Sequence, residues 1–138
     1  MKKSLSTYFL KLFLKISAFL CVAIFAISVF YFSWVTDGSF KTESVIPNWL
    51  LEWSNNNPNL RTAVPFLPIG LLMPFLFPRK RAALVTFILS FIIVSMAELG
   101  QFIIPTRVPD HRDVLYGLLG TVIGLIHYNL LLKTRWFK

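Results

Sequence analysis

The sequence predicts an all-α fold, a polytopic bundle of four membrane-crossing helices with both chain ends on the cytoplasmic side. Three observations lead there. Apolar residues make up 56% of the 138-residue chain and mean hydropathy is +0.67, a membrane composition rather than that of a water-soluble globule. Four apolar runs, at about residues 16–35, 62–78, 82–104 and 114–132, have the lengths that cross about 30 Å of hydrocarbon at about 1.5 Å per residue. The basic residues then sort by side: ten (Lys2, Lys3, Lys11, Lys15, Arg79, Lys80, Arg81, Lys133, Arg135, Lys138) against four (Lys41, Arg61, Arg107, Arg112) if the amino terminus is cytoplasmic.

The same distribution argues against a nucleic-acid partner. The net charge is +8, but the cations sit beside apolar runs rather than along one amphipathic face. The length suits one membrane domain, 1–138, without an additional soluble enzyme domain. Cys21 is the single cysteine and lies inside an apolar run, so it forms no intrachain disulfide.

Ile16 to Val35 runs for 20 residues without a charge after a lysine-bearing start. A cleaved signal peptide is the competing reading, but the run continues through Val29-Phe30-Tyr31-Phe32-Ser33-Trp34, too long and bulky for a cleavage region. A retained first span is expected. Asp37 to Arg61 is polar and turn-rich, with Asp37-Gly38 and Asn55-Asn56-Asn57-Pro58. Within it Trp49 and Trp53 share a face of a short helix, as an interfacial anchor in preference to a lid over an outer pocket. The second run carries Pro65, Pro68, Gly70 and Pro74 and is expected to be bent and partly buried, because interior prolines release carbonyls that need partners in lipid. Arg79-Lys80-Arg81 makes a very short turn into the third run. Asp113 is expected to cap the fourth, and Lys133, Arg135, Trp136 and Lys138 close the chain at the interface.

The candidate site is the junction of the third and fourth runs. Glu98, Asp110 and Asp113, half of the chain's six acids, fall within sixteen positions, together with Gln101, Arg107, His111 and Arg112. An ionisable group at membrane depth costs about 2.5–3.5 kcal/mol, so these groups are expected to face inward and to pair. Glu98 and Gln101 share a helical face, and Arg107 is expected to fold back on Glu98 as a bidentate clamp. Arg107 with Arg112 can instead receive an anionic head group, whose phosphate matches the planar fork of arginine. Asp110 and Asp113 read as caps or as carboxylates around a divalent cation, but no second histidine or ligand spacing supports a metal, and none is assigned. No cofactor is expected. Glu98 and His111 are the acid–base candidates if chemistry occurs. Gly117, Gly120 and Gly124, with Pro68 and Gly70 upstream, read as packing positions that bring helices together; His127 is expected on the same inner face.

The pattern Glu98-x-x-Gln101, Pro105-x-Arg107-x-x-Asp110-x-x-Asp113, followed by Gly120 and Gly124, resembles the VanZ-like membrane protein family. Phe66-Leu-Pro68-Ile-Gly70-Leu-Leu-Met-Pro74 resembles that family's proline-kinked preceding helix, and Ser90 falls where its third helix often has a serine. The resemblance covers roughly residues 58–127. Two features depart from it: Gly117 stands where the family often has Asn, and one branch's Asp-Lys-x-x-His signature on the second helix is absent. The family takes its name from a member linked to teicoplanin resistance, so the resemblance implies a cell-envelope membrane protein without supplying a reaction. The leading expectation is a protein of the bacterial inner membrane that binds or shields an anionic envelope lipid or lipid-linked cell-wall precursor through Glu98, Gln101, Arg107, Asp110, Arg112 and Asp113. The alternatives are an enzyme acting on a lipid phosphate or glycolipid, and a small membrane scaffold that uses its glycine face.

Overall fold

The computed structural model describes residues 2–36 and 46–133, with side chains from residue 7 onward. The Asp37-Gly38 turn, Lys41, Arg135, Trp136, Lys138 and the side chains of Lys2 and Lys3 lie outside the described residues. Five α-helices follow one another: α1 (Lys2–Trp34), α2 (Asn48–Asn56), α3 (Pro58–Leu72), α4 (Ala82–Gln101) and α5 (His111–Lys133), with a 3-10 turn at Met73–Leu76. No strand occurs among the described residues. Four helical stretches are long and apolar enough to cross a membrane: Thr7–Trp34, Pro58–Leu76, Ala82–Gln101 and His111–Lys133. The fold is therefore the expected four-span bundle.

The helix limits follow from local chemistry. Pro58 opens α3 at its first turn, where its missing N–H is not needed. The helix continues through Pro65 and Pro68 and yields to the tighter 3-10 turn at Met73–Leu76, which contains Pro74. α4 stops at Gln101, three residues short of the expected end, because Ile104 precedes Pro105 and is steered away from helical geometry. The amides of Phe102, Ile103 and Ile104 close tight turns onto the carbonyls of Leu99, Gly100 and Gln101 at 3.2, 3.2 and 3.0 Å. α5 begins at His111, three residues before the apolar run, for a reason that belongs to the site.

Phe66, Ile69, Met73 and Val94 form the centre of the core, joined by Val22, Val29 and Ala97. α3 and α5 approach most closely, and glycine makes this possible. A Cβ on Gly70 would strike the backbone of Thr121, one on Gly120 the carbonyl oxygen of Ala63, and one on Gly124 the backbone of Leu67 and Leu71. The small-residue face of α5 is thus consumed by α3 within the chain, the internal packing that the spacing predicted. Pro68 is half-buried in α3, two residues before Gly70. Gly117 is looser: its Cβ would meet side chains only, Val94 at 3.0 Å and Phe66 at 3.2 Å. His127 departs from expectation. It is exposed, with Nδ1 2.8 Å from the carbonyl oxygen of Ile123 one turn earlier in its own helix, instead of facing inward.

Replacing Gly120 or Gly124 by alanine is expected to destabilise the detergent-solubilised protein by about 1–3 kcal/mol, the usual cost of overpacking against rigid backbone. Gly117→Ala should cost less, since side chains can give way. Thermal unfolding of the three variants checks the order.

Candidate functional site

The polar residues of the α4–α5 junction meet the ends of all four long helices. Glu98 and Gln101 are 7% and 6% exposed although both are polar, so their partners decide whether burial is tolerable. Both Glu98 oxygens are engaged. Oε1 accepts from Gln101 Nε2 at 3.2 Å, and Oε2 accepts from the backbone N–H of Asp110 at 3.1 Å. Asp110 is the residue before α5. Its Oδ1 accepts from the Arg112 N–H at 2.8 Å, the bond of an N-cap residue, and its carbonyl accepts from the Asp113 N–H at 2.9 Å. Asp110 rather than Asp113 therefore caps the helix.

In a capping box, the side chain three positions into the helix reaches back to the cap residue's own N–H. Asp113 occupies that position here, but Glu98 of α4 has taken the N–H. Asp113 is released to accept from Thr62 Oγ1 of α3 at 3.0 Å. One cap thus ties three helices.

The fourth helix is held by the loop. Arg107 donates from Nε to the Val35 carbonyl at 2.8 Å and from Nη2 to the Phe32 carbonyl at 2.8 Å. These are terminal carbonyls of α1, which has no basic residue in its own last turn. A cation at that end satisfies orphan acceptors and complements the negative pole of the helix dipole. Thr106 Oγ1 adds a bond to the Thr36 carbonyl at 2.8 Å, and Trp34 Nε1 donates to the Ala97 carbonyl at 3.1 Å. The indole packs so closely on Gly100 that a Cβ there would collide with it.

Between these ties lies a cavity of about 170 Å³, lined by Phe32 and Ser33 of α1, Arg61, Thr62 and Pro65 of α3, Gln101, Arg107 and Asp113, with Val29, Phe66 and Val108 as its apolar part. The Arg61 and Arg107 charges repel one another, and both are attracted by Asp113. Pro65 deprives the Arg61 carbonyl of its helical donor at this wall, and irregular backbone at membrane depth is tolerated where it borders a polar cavity.

The junction residues therefore separate into groups. Gln101, Arg107 and Asp113 line the cavity, and Glu98 stands behind Gln101. Arg112 and His111 are exposed and do not line it. His111 Nδ1 lies 3.7 Å from Asp110 Oδ1. Arg107 is directed to α1 rather than forming the expected bidentate clamp on Glu98, although the two charges lie within electrostatic reach. Among the described residues no group of three His, Cys, Asp or Glu side chains is placed to hold a metal ion. α2 contributes nothing to the cavity lining, and Trp49 stands 71% exposed, as an interfacial anchor would. Sequence reasoning missed Arg61, Thr62, Trp34 and Gly100. The signal for the first two was their position at the head of a proline-rich span, level with Asp113 at the head of α5.

A family model described as VanZ/LLP1 matches residues 9–132. The chain belongs to the VanZ/LLP1 family. The match takes in α1 as well as the stretch 58–127 on which the resemblance rested, in keeping with the cavity's use of α1. No curated protein and no solved structure matches the chain. It is a VanZ-family protein with four apolar helices, and so a multi-pass membrane protein.

A hydrogen bond to a charged acceptor contributes about 1.5–3 kcal/mol, so Thr62 and Asp113 should be energetically coupled. A double-mutant cycle with Thr62→Val and Asp113→Ala, read by chemical or thermal unfolding, is expected to return a coupling of about 1–2 kcal/mol.

Proposed function

We propose that the protein binds the anionic group of an envelope lipid, or of a lipid-linked cell-wall precursor, in the cavity between α1, α3 and the α4–α5 loop. The observation that carries this reading is that Arg61 and Arg107 line the same cavity, with a single carboxylate, Asp113, in its lining. Two guanidinium charges lining one cavity repel, and an entering phosphate would relieve that repulsion. Gln101 and Thr62 supply neutral polar groups beside them. Glu98 orders Gln101, while Asp110 and Arg112 belong to the cap that sets the loop.

We take this cavity to open at the outer face of a bacterial inner membrane, a reading that the charge asymmetry counted in the sequence supports. A protein that shields an outer-leaflet precursor there would influence susceptibility to glycopeptides. Non-catalytic binding is favoured over acid–base chemistry, since His111 stands outside the lining and Glu98 has both oxygens occupied.

Native mass spectrometry of the detergent-purified protein tests the reading. Wild type is expected to retain an anionic or undecaprenyl-type lipid that Arg61→Ala and Arg107→Ala lose while remaining folded. Equal, unselective lipid on all three proteins contradicts it. Turnover of a labelled lipid phosphate, abolished by Glu98→Gln, would replace binding with catalysis.

A further inference from the structure

The opposite end of the bundle carries a second cavity, of about 410 Å³, between the start of α4 and the end of α5. Its lining is Arg79, Ala83, Tyr128, Asn129, Leu132 and Lys133. We propose that this groove is a binding site for the phosphodiester head group of an anionic glycerophospholipid, held between Arg79 and Lys133.

Charge balance supports this first. Arg79 and Lys133 come from different helical connections yet border one groove, and among the described residues neither has a hydrogen-bond or ion-pair partner. No Asp or Glu falls in the stretches of sequence that carry them, residues 77–81 and 114–138. Asp37, Glu43 and Glu52 fall in sequence between α1 and α3, and Glu98, Asp110 and Asp113 belong to the α4–α5 junction at the other end. Lys80 and Arg81 add exposed positive charge beside the groove. Two cations bordering one groove, with no acid in its lining, favour an anionic ligand.

The groove's shape and position narrow the source. It lies where two membrane-length helices terminate, which is head-group depth, and basic pockets between spanning helices at this depth suit anionic lipid head groups. Tyr128 is buried, with its ring edge-to-face against Phe75 at 4.9 Å, and Leu132 provides apolar surface for the glycerol end of an acyl chain. Asn129 gives one amide hydrogen to the Leu125 carbonyl at 3.0 Å and keeps its second donor. α4 starts at this groove without a side-chain cap. A lipid phosphate would meet two cations and a neutral donor while its chains stay in the membrane.

The test is native mass spectrometry and thermal unfolding of the full chain titrated with phosphatidylglycerol, phosphatidylcholine or inorganic phosphate. Wild type is expected to retain phosphatidylglycerol over phosphatidylcholine and to be stabilised by it, while inorganic phosphate at equal concentration does neither. Each of Arg79→Ala and Lys133→Ala should weaken phosphatidylglycerol binding about fivefold, and the pair about twenty-five-fold. Arg107→Ala should lose only the lipid assigned to the opposite cavity and still retain the phosphatidylglycerol whose binding depends on Arg79 and Lys133, which separates failure here from failure of the proposed function. Arg79→Lys, which keeps the charge, should retain most of the affinity and serves if the alanine variants do not fold. Equal retention of both lipids by wild type, or wild-type binding by the folded double variant, overturns the proposal. Stabilisation by inorganic phosphate alone would assign the groove to a soluble anion and overturn the lipid assignment.

Discussion

The Glu98 carboxylate at the α4–α5 junction is the constraint on which the rest of the site depends. A backbone N–H at a helix start needs an acceptor, and at the partly buried Asp110 it comes from the preceding helix instead of from the helix it opens. That substitution frees Asp113 for Thr62 and so fastens α5 to α3 at the site end. The loop between Gln101 and Asp110 is then short and closed on itself, and Arg107 projects from it toward the open carbonyls of α1. Four helices meet over a cavity because each polar group finds its partner on a different one.

The glycine crossing does the complementary work lower in the bundle. Gly70, Gly120 and Gly124 let α3 and α5 pack backbone to backbone, which leaves no room for a polar cavity along most of their length. Toward the site end the same two helices carry Thr62 and Asp113 rather than glycine, and a cavity opens beside them. An apolar seam thus locks the helices along most of their length, and the polar groups gather at one head of the bundle, around the cavity.

Much of this was legible in the sequence. Four apolar runs gave four helices, and the spacing of Gly117, Gly120 and Gly124 identified the packed face of α5. The cluster of Glu98, Gln101, Arg107, Asp110 and Asp113 pointed to the α4–α5 junction because ionisable residues at that depth are costly, and three of the five line the cavity there. Partnerships were not legible, since they depend on distances across the fold. Arg107 lies near Glu98 in sequence and was expected to clamp it, yet its fork reaches carbonyls of Phe32 and Val35, more than seventy residues away. Asp113 looked like the cap because apolar residues begin after it; α5 starts earlier because Asp110 has the geometry to cap and a distant acceptor for its own N–H. Arg61 was read only as a charge to be counted on one side. Its place at the head of the proline-rich span was the available signal, but only the packing of α3 against α1 and α5 brings it to the same cavity as Arg107.

Residue-resolved amide exchange on wild type and Glu98→Ala tests the central claim most directly. The account predicts that the Asp110 N–H is protected in wild type and exchanges much faster in the variant, while the Asp113 N–H, bonded to the Asp110 carbonyl, keeps most of its protection. Unchanged protection at Asp110 without the carboxylate would contradict it, and the α4–α5 junction would then owe its shape to something other than Glu98.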